Sequence, residues 1–210
     1  MNIVDIESHS IDLAALPEAP EVLDVGCRGF AFCKSLLKLR PFARITAMDP
    51  DPLLTLEEMP VGVLFLRAAL VGDERLTSNY AGWSNGDGNL LCESAPWYAE
   101  REHTVPCLNI TALMARLKVS YWDLVKLDCE ESEFQILENW PGPIAGQLSV
   151  EFHDWTGEWR KKAKDDPAYY PRLFNGPLKD YEVLKHELST VGPGPAWGHW
   201  DSVLRLRSLA

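Results

Sequence analysis

Five acidic or imidazole side chains stand where short apolar segments of the sequence end. They are Asp24, Asp49, Asp128, Glu151 and His153. Each segment has the length and residue types of a buried strand, and the carboxyl ends of parallel strands form one edge of an α/β sheet. Because ligands of open α/β sheets bind at that edge, we interpret these five side chains as one constellation at a ligand site.

The first of these segments leads into a glycine turn. Residues 21–25 are followed by Gly26 and Gly29, and apolar residues then recur at helical spacing over 31–39. A strand, a glycine turn and a helix open a nucleotide-binding βαβ unit. Glycine in the turn lets the backbone approach a ligand that lies across the strand end. We therefore predict that Gly26 and Gly29 bind a cofactor; the alternative is a tight turn without a ligand.

The acidic residues indicate which cofactor fits. Asp49 follows a strand at 44–48, and its carboxylate can accept hydrogen bonds from both hydroxyls of a ribose. Dinucleotide sites show G-x-G-x-x-G, whereas Arg28 occupies the middle glycine position here. Asp24 would repel a pyrophosphate but attract the ammonium of S-adenosylmethionine. The pattern favours S-adenosylmethionine over NAD, with an NAD-dependent oxidoreductase as an alternative.

A third strand is predicted at 61–66, after a short helix at 53–59. Small residues follow this strand, at the point where an adenine ring lies in this kind of fold. We therefore expect Ala69 to contact the adenine.

The second informative stretch runs from 122 to 140 and predicts a strand ending near Asp128, a turn and a helix. Lys126 and Asp128 share one face of the strand, where a buried lysine needs a carboxylate partner. An aliphatic hydroxyl is a weak nucleophile, so a general base helps its methylation. We favour Asp128 or His153 as that base, with Glu151 as a further carboxylate. The structural alternatives are a core histidine and an ion pair of Lys126 with Glu130.

We expect residues 1–20 to be a polar lead-in and residues 21–210 to form one domain. Within 73–104, glycines alternate with tyrosine and tryptophan, which predicts a lid or acceptor-binding loop; the alternative is that these aromatic residues pack as satellite core. Two predicted strands, 181–188 and 202–206, should form a closing antiparallel hairpin.

Composition restricts the partners. The net charge of -11 and pI of about 4.9 argue against a nucleic-acid substrate. The first 16 residues lack the pattern of a signal peptide, and no apolar run reaches the roughly 20 residues of a membrane helix. The 5 cysteines are scattered and never spaced C-x-x-C, which predicts reduced thiols in a cytoplasmic protein and argues against zinc.

From residue 20 onward the chain resembles the FkbM-type family of S-adenosylmethionine-dependent methyltransferases. Its general motifs are VLDVGCRG (22–29), ITAMDPDP (45–52) and LFLRAALVGD (64–73). More specific to the family are Lys-x-Asp-x-Glu within 123–137 and Val-Glu-x-His within 148–155. The chain departs from the family pattern at Glu131, where a glycine is typical, and in the spacing of Gly29.

The resemblance implies a Rossmann-like class I methyltransferase fold. This is a seven-stranded, mostly parallel sheet with an antiparallel last strand and helices on both faces. It also implies O-methylation of a hydroxyl on a sugar or small metabolite. Some sugar methyltransferases of this fold use a divalent metal, which Asp128, Glu151 and His153 could hold, but we expect none. A non-catalytic module of the same fold, which binds a cofactor or a partner, is the alternative function.

Overall fold

A computed structural model describes residues 2–82, 88–90, 101–154, 158–188 and 198–207. Its strands are β1 (Ile3–Ile6), β2 (His9–Asp12), β3 (Glu21–Val25), β4 (Arg44–Met48), β5 (Leu64–Leu66), β6 (Ala69–Val71), β7 (Thr77–Gly82), β8 (Gly88–Leu90), β9 (Arg101–Asn109), β10 (Trp122–Leu127), β11 (Ala145–Asp154), β12 (Tyr181–Leu188) and β13 (Gly198–Leu206). Its α-helices are α1 (Ala31–Leu39), α2 (Ile110–Leu117), α3 (Glu133–Glu138), α4 (Glu158–Asp165) and α5 (Tyr169–Asn175).

The main sheet has seven strands in the order β12-β13-β11-β10-β3-β4-β5. Strands β11, β10, β3, β4 and β5 run parallel, whereas β13 is antiparallel to both of its neighbours. The predicted α/β fold, with an antiparallel last strand, is confirmed. The connection between the last two strands (189–197) lies outside the described residues, but these strands pair antiparallel, as predicted for the closing hairpin.

Two apolar cores cover the two faces of this sheet. On one face, Val22 and Leu124 pack against helix α1 and the β1–β2 hairpin. On the other, Val25 and Leu127 pack against α2 and α3. Alternate side chains of a strand point to opposite faces, so this pairing also assigns Asp24 and Lys126 to the face of α1 and the hairpin.

The N-terminal residues, expected as a polar lead-in, form the β1–β2 hairpin. Gln147 fastens it to the sheet, since its side-chain amide donates to the Asp12 carbonyl and its Oε1 accepts from the Asp12 N–H, both at 2.9 Å. Arg205 Nη1 lies 3.2 Å from Asp12 Oδ2. The start of the chain is thereby held over the end of the sheet.

Two other expectations are changed by the structure. In the 73–104 segment, β7 and β8 join β6 and β9 in a second sheet of order β6-β9-β7-β8, although 83–87 and 91–100 lie outside the described residues. The helix predicted at 53–59 is wrong, because the described backbone there forms turns. In these turns, side chains take the place of helical hydrogen bonds. Asp51 Oδ1 accepts from the Leu53 N–H, and the Arg67 guanidinium donates to the Leu54 carbonyl.

Candidate active site

The glycine turn after β3 is shaped by its contact with the end of β10. Gly26 has φ of +75°, and a Cβ built on it would lie 1.7 Å from the Asp128 carbonyl oxygen. Its N–H donates to the Met48 carbonyl at 2.8 Å. Gly29 has φ of +67°, but its missing Cβ would meet nothing within 4 Å. Gly26 is therefore required by backbone packing, and Gly29 by conformation alone.

A pocket opens where β3, β4 and β10 end. Residues from the turns and from the second sheet line it, among them Gly26, Asp49, Ala69, Tyr80, Leu90, Asp128 and Glu130. Three of the five predicted cofactor residues, Gly26, Asp49 and Ala69, thus lie together. In the described part of the chain, Asp24 and Gly29 do not line this pocket.

Asp49 is the acidic group at the β4 side of the pocket. It is 6% exposed, and its Oδ1 accepts a hydrogen bond from the Asp51 N–H at 2.8 Å. Burial raises the pKa of the Asp49 carboxyl to about 6, because desolvation disfavours the charged form. The carboxylate is therefore ionised at neutral pH and can accept hydrogen bonds from a ribose.

Asp24 is fully buried and belongs to an ion pair. Its Oδ1 lies 3.3 Å from Lys126 Nζ, and its Oδ2 accepts from the Cys33 thiol at 3.0 Å. Lys126 also donates to the Gly26 carbonyl at 2.7 Å and lies 3.2 Å from Asp128 Oδ2. Burial lowers the pKa of Lys126, but the charges of Asp128 and Asp24 outweigh it and raise that pKa. The prediction that the buried lysine has a carboxylate partner is confirmed. Lys126, held by this pairing, supports the glycine turn through the Gly26 carbonyl.

His9 is a site residue that sequence reasoning missed. Strand β2 places its Nε2 3.3 Å from Asp128 Oδ2 and 3.5 Å from Glu151 Oε2. The ring is 3% exposed and packs edge-on against Phe32. The sequence signal for this hairpin was weak, because its turn is formed by Glu7 and Ser8 with positive φ angles and lacks the usual Asn-Gly or Asp-Gly.

His153 lies behind Asp128 and is surrounded by carboxylates. Its Nδ1 is 3.1 Å from Glu133 Oε1, and its Nε2 is 3.7 Å from Glu130 and 3.8 Å from Glu151. Burial lowers the pKa of His153, but the charges of Glu133, Glu130 and Asp128 outweigh it and raise that pKa to about 10. In this environment the ring is an imidazolium at neutral pH, which cannot accept a proton.

Glu133 was also missed, although it organises the turn after β10. It is fully buried and accepts hydrogen bonds from the N–H groups of Cys129 and Glu131, at 2.6 and 3.1 Å. Glu131 has φ of +82°, the left-handed conformation that favours glycine. A glycine at this position would adopt that conformation without strain. The Glu133 carboxylate stabilises the turn with a non-glycine residue in that position.

Asp128 connects the pocket with this carboxylate and imidazole cluster. Burial raises the pKa of its carboxyl, but Lys126, His9 and His153 outweigh burial and hold that pKa below its ordinary value. Asp128, Glu151 and His153, the three predicted catalytic residues, are brought together by the fold. Of these three, Asp128 lines the pocket.

The sequence matches no family model and no curated protein, so the FkbM family is not confirmed. Among solved structures it is similar to methyltransferase FkbM from Methylobacillus flagellatus (12% identity, 89% of this chain and 44% of that chain, TM-score 0.50). It is also similar to the fibrillarin pre-rRNA processing protein of Methanococcus jannaschii (10% identity, 97% and 81%, TM-score 0.50). A third is a candidate hemolysin from Streptococcus thermophilus (10% identity, 91% and 60%, TM-score 0.53). These likenesses show a Rossmann-like class I methyltransferase fold.

Proposed function

We propose that this protein is an S-adenosylmethionine-dependent methyltransferase that methylates a hydroxyl of a sugar or small metabolite. The observation that carries the proposal is the pocket at the strand ends, which joins Asp49 and Ala69 on one side to Asp128 and Glu130 on the other. We propose that a nucleoside binds on the first side and that an acceptor hydroxyl reaches the second. The fold supports this arrangement, since ligands of open α/β sheets bind at this edge.

In the bound state Asp49 accepts hydrogen bonds from the ribose hydroxyls, and Ala69 leaves room for the adenine. The turn at Gly26 lets the ligand lie across the end of β3, and Gly29 supplies the left-handed backbone conformation that the turn needs. Because Asp24 is buried against Lys126, we propose that it acts on the cofactor indirectly. It holds the lysine that in turn holds the Gly26 carbonyl.

The acceptor oxygen attacks the methyl carbon in line with the sulfur. An O–CH3 bond forms, the S–CH3 bond breaks, and the sulfonium becomes the neutral thioether of S-adenosylhomocysteine. Alignment of the reacting atoms at roughly 3–3.5 Å supplies much of the rate. The oxygen becomes strongly acidic as it gains the methyl group, so even a weakly basic carboxylate takes its proton. We assign that role to Asp128, with Glu151 and His153 positioning it.

The charge of the site supports the proposed acceptor class. Carboxylates dominate the cluster, and the whole chain carries a net charge of -11. A polyanion would be repelled, whereas a neutral sugar hydroxyl would find hydrogen-bond acceptors.

No described helix is long and apolar enough to cross a membrane.

Thermal melting tests the cofactor assignment. We expect S-adenosylmethionine and S-adenosylhomocysteine, but not NAD, to raise the melting temperature, since a ligand at 100 times its Kd stabilises by about 2.7 kcal/mol. Asp49→Ala should lose most of this shift. Asp73→Ala, which removes a partly exposed carboxylate beside Arg75, is the matched control and should keep it. A wild-type protein that no ligand stabilises, or one that NAD stabilises, would overturn the assignment.

Transfer itself is tested by following a labelled methyl group from S-adenosylmethionine to a panel of sugars and polyols. We expect product with the wild-type protein and strong loss of kcat in Asp128→Asn with cofactor affinity retained. Cofactor binding without transfer to any hydroxylated acceptor would instead support the non-catalytic module.

A further inference from the structure

We propose that His9, Asp128 and Glu151 form a binding site for one divalent first-row metal ion. The three residues come from separate parts of the chain: the N-terminal hairpin, the turn after β10, and β11. One ligand atom from each lies within 4.8 Å of the other two. An imidazole nitrogen with two carboxylate oxygens is a ligand set that suits ions such as Mn²⁺ and Zn²⁺.

The two distances from the His9 ring nitrogen fit metal ligation better than ordinary hydrogen bonding. His9 Nε2 lies 3.3 Å from Asp128 Oδ2 and 3.5 Å from Glu151 Oε2. Charge-assisted N–H···O bonds are usually about 2.7–2.9 Å, and Nε2 carries at most one proton to share between two oxygens. Ligand atoms about 2.1 Å from one ion are roughly 3.0 Å apart in an octahedral site and roughly 3.4 Å apart in a tetrahedral one.

The surrounding structure holds these ligands in place before an ion arrives. Phe32 packs against the His9 ring, and Gln147 fastens the strand that carries it. Glu151 is 7% exposed in strand β11. Asp128 Oδ2 also lies 3.2 Å from Lys126 Nζ, but a carboxylate oxygen has two lone pairs and can serve both the ammonium and the ion.

The metal site deepens the proposed function and rests on it for its chemical role. Three protein ligands leave at least one coordination position open, and Asp128 also lines the cofactor pocket. The acceptor hydroxyl would bind at that position, and the ion would lower its pKa. When the ion is bound, Asp128 is one of its ligands, so the hydroxyl proton passes to Glu130 instead of Asp128. Glu130 also lines the pocket, and the oxygen then attacks the methyl carbon in line with the sulfur.

Electron paramagnetic resonance of Mn²⁺ tests the site without cofactor. We expect the apo protein to take up one Mn²⁺ per chain and His9→Gln to weaken the affinity by about tenfold or more. His103→Gln, a histidine of β9 outside the cluster, is the matched control and should bind as the wild type does. No uptake by the wild type at millimolar Mn²⁺, or wild-type affinity in His9→Gln, would overturn the site.

Further variants keep this test separate from the methyltransferase proposal. If His9→Gln does not fold by circular dichroism, Glu151→Gln replaces it and should show the same loss of affinity. Asp49→Ala should lose the cofactor-dependent melting shift but still bind Mn²⁺. Methyl transfer that proceeds unchanged in EDTA, by a protein that takes up no Mn²⁺, would refute the metal site and leave the proposed function intact.

Discussion

Asp49→Asn should have opposite effects on stability and on cofactor binding. The carboxyl of Asp49 is buried, and its pKa is raised from 3.8 to about 6. Because the folded-state pKa lies above the unfolded value, this group's stabilisation is fully present below pH 3.8 and is lost as the pH rises through about 6. A shift of roughly 2 units corresponds to roughly 3 kcal/mol. The wild-type apo protein carries that penalty at neutral pH.

An asparagine does not titrate, and its amide oxygen can still accept the hydrogen bond from the Asp51 N–H. Relative to the wild type, Asp49→Asn should therefore gain roughly 2.4 kcal/mol of unfolding free energy between about pH 4 and pH 7. Urea denaturation of the apo protein at both pH values measures this. Asp73→Asn is the control: the pKa of Asp73 is lowered by its hydrogen bond with Arg75, so this variant should show no gain.

Cofactor binding should change in the other direction. An amide has one acceptor oxygen where the carboxylate has two, so Asp49→Asn should bind S-adenosylmethionine more weakly in calorimetric titration. The affinity of the wild-type protein should also fall below about pH 6, as Asp49 becomes protonated. An unchanged pH dependence of stability would refute the buried carboxylate, and an unchanged affinity would refute the contact with the ribose.

Two further substitutions test the framework of the site. Gly29→Ala should lower the unfolding free energy by about 1–2 kcal/mol, the cost of its left-handed backbone alone. Gly26→Ala should lower it by on the order of 4 kcal/mol, because its Cβ also meets the Asp128 carbonyl oxygen. Equal losses of stability in urea denaturation would contradict the close packing at Gly26. Lys126→Met should lower the unfolding free energy by roughly 3–5 kcal/mol, because Asp24 is left buried without the Lys126 ammonium. Adding Asp24→Asn should restore part of that stability. A double variant no more stable than Lys126→Met alone would show that the two side chains do not interact.

Local patterns predicted the part of the site that belongs to the main sheet. Helix α1 was predicted at its observed bounds, because its apolar side chains recur at helical spacing beside a glycine turn. Asp49, Asp128 and Glu151 were placed at strand ends because short apolar runs end there. Parallel pairing then brings these strand ends to one edge of the sheet. This can be inferred from the strand order alone, without knowing how the side chains pack.

The partners of each side chain were not predicted in the same way. Asp24 was assigned to the cofactor, but it is buried against Lys126, which lies on the next strand of the sheet. Gly26 was assigned to ligand approach, yet the Asp128 carbonyl also leaves no room for a Cβ there. The sequence singled out these two residues, while their nearest contacts depended on which strand lay beside them.

The sequence by itself determined the strand, the glycine turn and the helix that follow one another, and the carboxylates at the strand ends. Each of these features is encoded by neighbouring residues. Only the tertiary structure brought His9 to Asp128, across 119 positions of the chain. That contact depends on the hairpin folding back over the sheet and on Gln147 holding Asp12 there. The physical reason is that periodicity records which face of an element is buried, whereas the packing of distant elements decides what that face meets.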